Sequence, residues 1–238
     1  MPLPKLDVPT YEMELTSGDT ITYRPFLVKE EKILFMALEG ESPNEMGRAM
    51  KQIITNCVTE TINIDNLPLF ELENILLKIR SKSVGEKAEI AYLCQETHED
   101  EVCNNRIELN VDLNDVELEI IENHTKEILL TDTIGILMRY PKLDLMDRNI
   151  DLTDTDETFR IIESCVEFVF VEESTYAMDD YSEDERTEFF ESLTQEQFTS
   201  IREFFDTIPR LRFRDIYECD KCGNESELVM EGLENFFV

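Results

Sequence analysis

The sequence of 238 residues predicts an α+β fold. Apolar residues recur at helical spacing in the first 85 residues, and they alternate in twos between residues 88 and 120. Helical spacing then returns and ends at Pro209. We therefore expect a helical N-terminal half with a small hairpin, a central antiparallel β-region with cysteine-bearing knuckles, and a helical C-terminal part.

The N-terminal region is predicted to begin with a hairpin and to continue with three helices. Residues 11–15 and 20–23 alternate apolar and polar side chains around Ser17-Gly18-Asp19, which is typical of two strands joined by a turn. Apolar side chains then fall on one face of three segments, and a proline lies near the start of the second and third. The predicted helices are residues 28–38, 42–59 and 69–79.

The central region changes its period after Gly85. Residues 88–94, 105–112 and 116–120 alternate in twos, and the polar positions are mostly acidic. This pattern predicts three antiparallel strands with one face in water.

The second half of the chain is predicted to be mainly helical. Thr194 and Gln197 form a capping box, in which each side chain accepts a hydrogen bond from a backbone N–H at the start of a helix. Residues 142–156 are polar and rich in aspartate, which indicates a linker. The predicted helices are residues 131–140, 157–170, an acidic one from Ser182, and one from Thr194 to Pro209, before a strand at residues 210–214.

These elements suggest four regions. They are an α-rich domain at 1–85, a β-region at 86–141 plus 210–225, a helical acidic region at 142–209 and a C-terminal tail at 226–238.

The net charge of −32 comes from 54 acidic and 22 basic side chains. Proteins that bind nucleic acids or anionic membranes directly need the opposite sign, because they contact phosphate through Lys and Arg. A hydrophobic fraction of 42% is too high for a disordered acidic tail. The first residues, 1–5, lack the apolar stretch of a signal peptide. We expect a soluble chain that is intracellular at synthesis.

The most specific local motif is Cys219-Asp-Lys-Cys222, which is followed by Gly223. Two cysteines at this spacing before a glycine are typical of a zinc knuckle, which supplies two of four ligands. Cys94 and Cys103 each lie at the end of a predicted strand, and Asn104 follows as a residue that tolerates a turn. We predict a structural, zinc-ribbon-like Zn²⁺ site built by Cys94, Cys103, Cys219 and Cys222.

Other interpretations of these cysteines stay open at this point. The spacing of Cys94 and Cys103 is longer than usual, and His98 inside the intervening loop is a rival fourth ligand. The pairs are otherwise surface thiols or the remains of a lost site, and a redox pair fits less well because no βαβ unit precedes it. Cys57 and Cys165 lie among apolar residues and are predicted to be core side chains.

The sequence offers no catalytic residues. It lacks the common hydrolase, metalloprotease, P-loop and dinucleotide-binding motifs, and it has two histidines. We therefore predict that the protein is not an enzyme.

Two basic clusters stand out in this acidic chain. Lys78, Arg80 and Lys82 lie near the C-terminus of a predicted helix, where the helix dipole favours cations, and they also form a candidate docking patch for an acidic partner. Arg210, Arg212 and Arg214 share one face of a strand, and we expect them to pair with glutamates of strands 106–112 and 116–120.

The segment Glu172–Glu191 contains nine acidic residues and one arginine. Its usual meaning is a solvated helix face. Phe189 and Phe190 add an apolar edge, so we predict that they bind a partner that is basic or needs shielding from water.

Several segments taken together resemble the T4-type phage baseplate hub family of contractile-tailed phages. The resemblance rests on the order of five motifs between about residue 20 and the C-terminus, which are Tyr23–Leu34, Leu77–Glu86, Leu130–Gly135, Phe204-Phe205 before Ile208-Pro209, and Cys219–Cys222. It implies a non-enzymatic virion or assembly protein of the baseplate hub. It transfers no catalytic residue to this chain.

The resemblance leads to a first hypothesis and two alternatives. The first is a structural or assembly component of the hub, with a structural zinc site and other tail or hub proteins as partners. The alternatives are a transient tail-assembly chaperone for the tape-measure protein and an acidic DNA mimic that inhibits a DNA-binding protein. We expect the host cytoplasm at synthesis and the virion tail baseplate as locations, and we leave open whether the chain forms an oligomer.

Overall fold

The computed structural model describes residues 7–39, 43–98, 101–145 and 155–232. The chain divides into two compact units: unit 1 comprises Met1–Glu119 and Arg210–Val238, and unit 2 comprises Ile120–Pro209. The described residues contain six α-helices and several antiparallel sheets, which confirms the mixed α+β class. The four predicted regions stay a prediction of domain boundaries.

Unit 1 begins with a hairpin and three helices. Strands β1 (Tyr11–Glu14) and β2 (Thr20–Tyr23) pair antiparallel, and Gly18 in their turn has a φ of 86°. The helices are α1 (Val28–Glu39), α2 (Pro43–Cys57) and α3 (Leu69–Ser83). Thus α3 extends four residues beyond its predicted end.

Helix α3 supplies much of the buried interior of unit 1. It starts directly after Pro68, whose missing N–H costs nothing at the start of a helix. Its polar residues Glu71 and Arg80 are also buried, and Glu71 accepts hydrogen bonds from the backbone and hydroxyl of Thr16. The buried apolar side chains of α3 are Phe70, Leu72, Ile75, Leu76, Leu77 and Ile79.

Two long hairpins and one short strand complete the regular structure of unit 1. Strands β3 (Lys87–Leu93) and β6 (Arg106–Asp112) form one antiparallel pair, with a small pair, β4 (Thr97–His98) and β5 (Glu101–Val102), between them in sequence. Strand β12 (Arg210–Glu218) lies between β13 (Glu225–Glu231) and β7 (Glu117–Glu119) in a three-stranded sheet.

Unit 2 is inserted into unit 1 at neighbouring positions of this three-stranded sheet. The chain leaves unit 1 after Glu119, the last residue of β7, and returns at Arg210, the first residue of β12. Glu119 and Arg210 are partners in the β7–β12 pairing. The two ends of the insertion are therefore held together by unit 1.

Unit 2 contains a four-stranded antiparallel sheet and three helices. The strand order is β11-β10-β9-β8. The strands are β8 (Glu127–Leu129), β9 (Ile134–Met138), β10 (Val166–Val171) and β11 (Ser174–Ala177), and the helices are α4 (Thr155–Ser164), α5 (Glu183–Glu191) and α6 (Gln195–Thr207). Its core is one cluster that includes Ile136, Met138, Val166 and Ile201.

One helix predicted in the second half is wrong, and a second is correct only in its first part. Residues 131–140 contain strand β9, and the predicted helix 157–170 ends at Ser164, with strand β10 in its place from Val166. Both strands lie inside the four-stranded sheet, where apolar residues on both faces remove the alternation that marks a strand. The hydrophobic pattern of these two sequences therefore does not distinguish a buried strand from a helix.

Other predicted boundaries changed as well. The sequence pattern groups strand 116–120 with the central strands, but β7 pairs with β12 because the insertion returns the chain beside it. Residues 226–231 of the predicted C-terminal tail belong to strand β13 (Glu225–Glu231), which pairs with β12 along its length. Most of the predicted linker 142–156 lies outside the described residues.

The predicted helix starts at Ser182 and Thr194 are confirmed. Ser182 caps α5 and Thr194 caps α6. Each capping side chain accepts a hydrogen bond from the backbone N–H of Glu185 or Gln197, whose side chain accepts one from the backbone N–H of the capping residue. In the part of the chain that the structure describes, we find no helix with the length and apolar character needed to cross a membrane.

Candidate metal centre

The four predicted cysteine ligands meet at one point of unit 1. Their sulfur atoms all lie within 4.8 Å of one another. The Sγ atoms of Cys94 and Cys222 are 3.8 Å apart, and those of Cys103 and Cys219 are 3.9 Å apart. A tetrahedral zinc ion with Zn–S bonds of about 2.3 Å requires sulfur atoms about 3.8 Å apart. The donor set and its spacing therefore fit a tetrahedral four-thiolate site.

Each pair of cysteines lies in the turn of one long hairpin. Cys94 follows the last residue of β3, and Cys219 follows the last residue of β12. The backbone hydrogen bonds that close the two turns are equivalent. Cys94 N donates to Asn105 O at 2.9 Å and Asn104 N donates to Cys94 O at 3.0 Å, while Cys219 N donates to Asn224 O at 2.8 Å and Gly223 N donates to Cys219 O at 2.7 Å.

The residue after the second cysteine is left-handed in both turns. Asn104 has a φ of 48° and Gly223 has a φ of 69°. Glycine adopts this conformation without strain, and asparagine is among the few other residues that adopt it readily. Asn104 therefore occupies in the first turn the position that Gly223 occupies in the second.

The long spacing between Cys94 and Cys103 is an insertion in an otherwise equivalent turn. Residues 95–102 stand where the second turn has Asp220 and Lys221. The inserted residues form the small pair β4–β5, and Cys103 N donates to Glu96 O at 2.7 Å. The two ends of the insertion are thus brought together, so Cys103 reaches the same place as Cys222 does in its own turn.

N–H groups point at the sulfur atoms. Cys219 Sγ accepts from the backbone N–H groups of Cys222 and Lys221, which lower the pKa of its thiol to about 6. Cys94 Sγ accepts from Glu96 N, and Cys222 Sγ accepts from Asn224 N; these donors lower the pKa of each thiol, but burial and the neighbouring thiols raise it further, so both pKa values lie above the ordinary value. Such donors stabilise thiolate, the form that binds a metal.

Two side chains that sequence reasoning missed support the same site. Asn105 Nδ2 lies 3.6 Å from Cys219 Sγ and donates to Asp220 at 2.5 Å. Lys221 Nζ donates to the backbone oxygen of Cys103 at 2.9 Å, which places a cation beside the cluster. Each contact joins one turn to the other. Their sequence signal was their position next to the cysteines of the two turns.

The two hairpins also touch through equivalent tyrosines. Tyr92 and Tyr217 each lie two residues before the first cysteine of a turn, and their ring centroids are 5.1 Å apart in an edge-to-face arrangement. Cys94 and Cys219 are fully buried, Cys103 is nearly so, and Ile107 packs against them. The cluster is therefore held from both hairpins and is largely shielded from water.

The two remaining cysteines stand apart from this cluster. The side chain of His98, the rival ligand, lies outside the described residues. Cys57 and Cys165 are buried core residues, as predicted, and burial raises the pKa of each thiol to about 11. Both are protonated at neutral pH.

Comparison with known proteins identifies the family. The family model described as "T4 bacteriophage base plate protein" matches residues 8–238. The chain belongs to this family.

A relative in the T4 base plate protein family matches the chain over nearly its full length. "Baseplate hub assembly protein gp26" of Enterobacteria phage T4 is 24% identical over 232 residues, which cover 95% of this chain and 97% of the relative. No solved structure is significantly similar to the chain. The resemblance to baseplate proteins that the sequence motifs indicated is confirmed.

The basic residues that we assigned to partner binding make contacts within unit 1 of this T4 base plate family member. Lys82 forms an ion pair with Glu86. Arg80 is buried and its guanidinium lies 3.4 Å from Gly85 O. Burial lowers the pKa of the half-buried Lys78. Partner binding by these three residues stays a prediction.

The strand arginines pair within the sheet, as predicted. Arg212 binds Glu119 at 2.7 Å and Glu231 at 2.5 Å, which joins the three strands β7, β12 and β13. Arg214 binds Glu119 at 3.2 Å and Glu227 at 3.3 Å. The glutamates come from β7 and β13, and the predicted pairing with strand 106–112 is wrong because β6 belongs to another sheet.

The two phenylalanines assigned to partner binding lie in different places. Phe190 is 4% exposed and belongs to the core of unit 2. Phe189 packs at the edge of that core and lines a surface cavity. Of the two, Phe189 is the one with a surface that a partner can reach.

Proposed function

We propose that this protein acts without catalysis in assembly of the phage baseplate hub. The observation that carries this proposal is the match with a T4 protein whose name describes baseplate hub assembly, since it spans almost the whole of both chains. Membership of the base plate family over residues 8–238 supports the same role.

We further propose that Cys94, Cys103, Cys219 and Cys222 hold a structural Zn²⁺. The four sulfurs are spaced for a tetrahedral ion, and all four coordination positions would be taken by protein. Such a site adds folding free energy and leaves no position for a substrate. In this arrangement the cysteines fasten the hairpin β12–β13 to the hairpin β3–β6.

The proposed partners are other tail and baseplate hub proteins. The chain is synthesised in the host cytoplasm and acts at the tail baseplate. A net charge of −32 keeps copies apart by repulsion until a complementary surface is met. The tape-measure protein is the client in the alternative role of a transient assembly chaperone.

Mass spectrometry of purified virions and of isolated baseplates tests the role and separates it from the alternative. A retained hub component gives peptides of this chain in both samples. Peptides found in assembly intermediates and missing from virions favour the transient chaperone. A phage that lacks the gene and still assembles normal hubs would contradict both.

Elemental analysis of protein purified without chelator tests the metal site. We expect about one zinc per chain, lost in Cys219→Ser and kept in Cys57→Ala, which changes a cysteine of the core. Absence of zinc from the natural chain would rule out the site. Circular dichroism spectra of both variants separate loss of metal from loss of fold.

A further inference from the structure

A surface cavity of about 260 Å³ lies in unit 2 beside α5. Its inner wall contains the buried side chains of Val169 and Met178, which are 8% and 4% exposed. Tyr176 and Tyr181 are 43% and 39% exposed, and Phe189 also lines the cavity. The cavity is therefore an apolar pocket with aromatic side chains at its opening.

Its composition is typical of a site that receives a protein side chain. Tyrosine, phenylalanine and methionine are enriched at protein–protein interfaces, because their large side chains bury much apolar area there. The hydroxyl group of tyrosine also forms hydrogen bonds, so the residue is stable at the surface before the partner binds. The two tyrosines stay at the surface although the core of unit 2 is adjacent. An incoming apolar side chain would remove both rings and the inner wall from water.

The surroundings of the pocket are strongly acidic. Apart from Val169, every residue that lines it comes from the segment Glu172–Glu191, with its nine acids and one arginine. That arginine, Arg186, already interacts with the carboxylates of Glu163 and Asp179. Besides Asp179, the exposed carboxylates of the segment are Glu172, Glu173, Asp180, Glu183, Asp184, Glu185, Glu188 and Glu191.

The acidic surface continues on the other side of α5. An open groove there is lined by Glu163 and by four carboxylates of α5, together with Arg160 and the partly exposed Phe159. Burial raises the pKa of Glu163, since its charged form loses water in a groove that other acids share. An acidic segment laid over α5 would be repelled by these carboxylates, and a neutral segment would cover them without supplying a cation. A basic segment would be attracted.

We infer that the pocket beside α5 binds one large apolar side chain of a partner protein, in a segment where Lys or Arg residues flank that side chain. The inference deepens the proposed assembly role, on which it rests only for the identity of the partner. The apolar anchor supplies affinity, and the flanking cations select this surface from other apolar pockets.

A short synthetic peptide with one central Leu between Lys residues is the probe. We compare it with the same peptide carrying Ser in place of Leu. The acidic-surface variant is Glu173→Gln with Asp180→Asn and Glu188→Gln. The control variant is Glu12→Gln with Glu89→Gln and Glu101→Gln, which removes equal charge from exposed positions of unit 1.

Binding is measured by fluorescence anisotropy at low and at physiological salt, after circular dichroism has verified the fold of each variant. We expect the acidic-surface variant to weaken binding about fivefold and the control variant to change it less than about twofold. Replacement of both rim tyrosines, Tyr176→Ser with Tyr181→Ser, should weaken it about tenfold, and the Ser peptide should bind as weakly.

Two outcomes would overturn the inference. Equal weakening by both charge variants would mean that the peptide follows net charge, and unchanged binding by the tyrosine variant would mean that the pocket is not used. The assay needs no phage component. Its failure therefore leaves the virion measurement, and with it the assembly role, to be decided separately.

Discussion

Asn104 and Gly223 perform the same local task with different side chains. Both are left-handed, and both directly follow the second cysteine of a turn. The sequence predicted this equivalence because asparagine and glycine are the residues that tolerate such a turn. It could not reveal how the chain folds between Cys94 and Cys103, where this turn has six residues more than the other, because strands as short as β4 and β5 show no periodicity.

Replacement of Gly223 by alanine is expected to destabilise unit 1 by about 1 kcal/mol, because a Cβ strains a left-handed backbone. Added at Gly223, a Cβ meets no atom within 4 Å, so the cost is conformational. Asn104→Gly, the matched change in the other turn, should be neutral or slightly stabilising. Thermal unfolding with zinc present measures both, and equal effects would contradict the assignment.

His124 is the titrating residue to watch in unit 2. Its ring stacks on Tyr140 and lies against Phe204, with centroid distances of 5.5 and 5.1 Å. Its Nδ1 lies 2.9 Å from the hydroxyl oxygen of Thr207, which itself donates to backbone oxygens. The imidazole therefore donates from Nδ1, and its buried Nε2 has no hydrogen-bond partner among the described residues.

Burial, and secondarily the nearby Lys126, lowers the pKa of His124. The unfolded chain therefore binds a proton at higher pH than the folded chain does, and stability falls as pH drops below about 6.5. We expect His124→Phe to lose less stability than the natural protein between pH 7 and pH 5, in urea titrations at each pH. His98→Phe, which removes the other histidine, is the control. If stability depended on pH in the same way in the natural protein and in His124→Phe, the role of His124 burial would be refuted.

Strand β12 is the element on which the architecture of unit 1 depends. It pairs with β7 and β13, and its turn carries Cys219 and Cys222. Arg212 on β12 forms ion pairs with Glu119 of β7 on one side and with Glu231 of β13 on the other. The alternation of arginines predicted these cross-strand pairs, although the identity of the neighbouring strands required knowledge of the insertion.

Arg212→Met is expected to cost about 1 kcal/mol, because Glu119 and Glu231 each lose the nearer of their two cations on a partly buried face. Arg214→Met, at a more exposed position, should cost less, since water screens its pairs. The difference should shrink in high salt. Thermal unfolding without denaturant measures the stability of both variants. Equal losses of stability would argue against a central role for Arg212.

Strands β9 and β10 show why the elements of unit 2 were harder to predict. Ile134-Gly-Ile-Leu-Met138 is apolar on both faces of a central strand, so its sequence shows no alternation. Gly135 lies at a position of β9 where neighbouring atoms leave no room for a side chain. A Cβ at Gly135 would lie 2.2 Å from the ring of Phe170 and 2.9 Å from Ile128 O.

Gly135→Ala is therefore expected to destabilise unit 2 by about 2 kcal/mol, as overpacking of a core usually does. Phe170→Leu introduced together with it should recover part of the loss by removing the ring. A double-mutant cycle in thermal unfolding measures the coupling. Additive effects of the two changes would show that the ring is not the obstacle.

At the scale of the molecule, the cysteine cluster joins two parts of the chain that are far apart in sequence. Cys103 and Cys219 are separated by 116 positions. The four ligands could be selected from sequence because each pair lies at a strand end and resembles the other in its turn residues. The extent of unit 2 could not, because nothing in the local pattern marks Glu119 and Arg210 as neighbours.

Removal of metal should loosen unit 1 selectively. With a strong chelator we expect faster hydrogen exchange in β3, β6, β12 and β13, because the turns that join these hairpins lose their common link. The helices of unit 2 serve as the internal reference in the same mass-spectrometric experiment. Uniform acceleration in both units would indicate global unfolding, and no change would mean that the cysteines hold the hairpins without metal.

The insertion also fixes an order of events on the ribosome. Translation at about 5–20 residues per second needs roughly 6–23 s to pass from Cys103 to Cys219. During that time the first cysteine pair is present without its partner pair, and all of unit 2 has been synthesised before β12 exists. Unit 1 therefore closes only after all of unit 2 has been synthesised, when the hairpin β12–β13 has emerged from the ribosome.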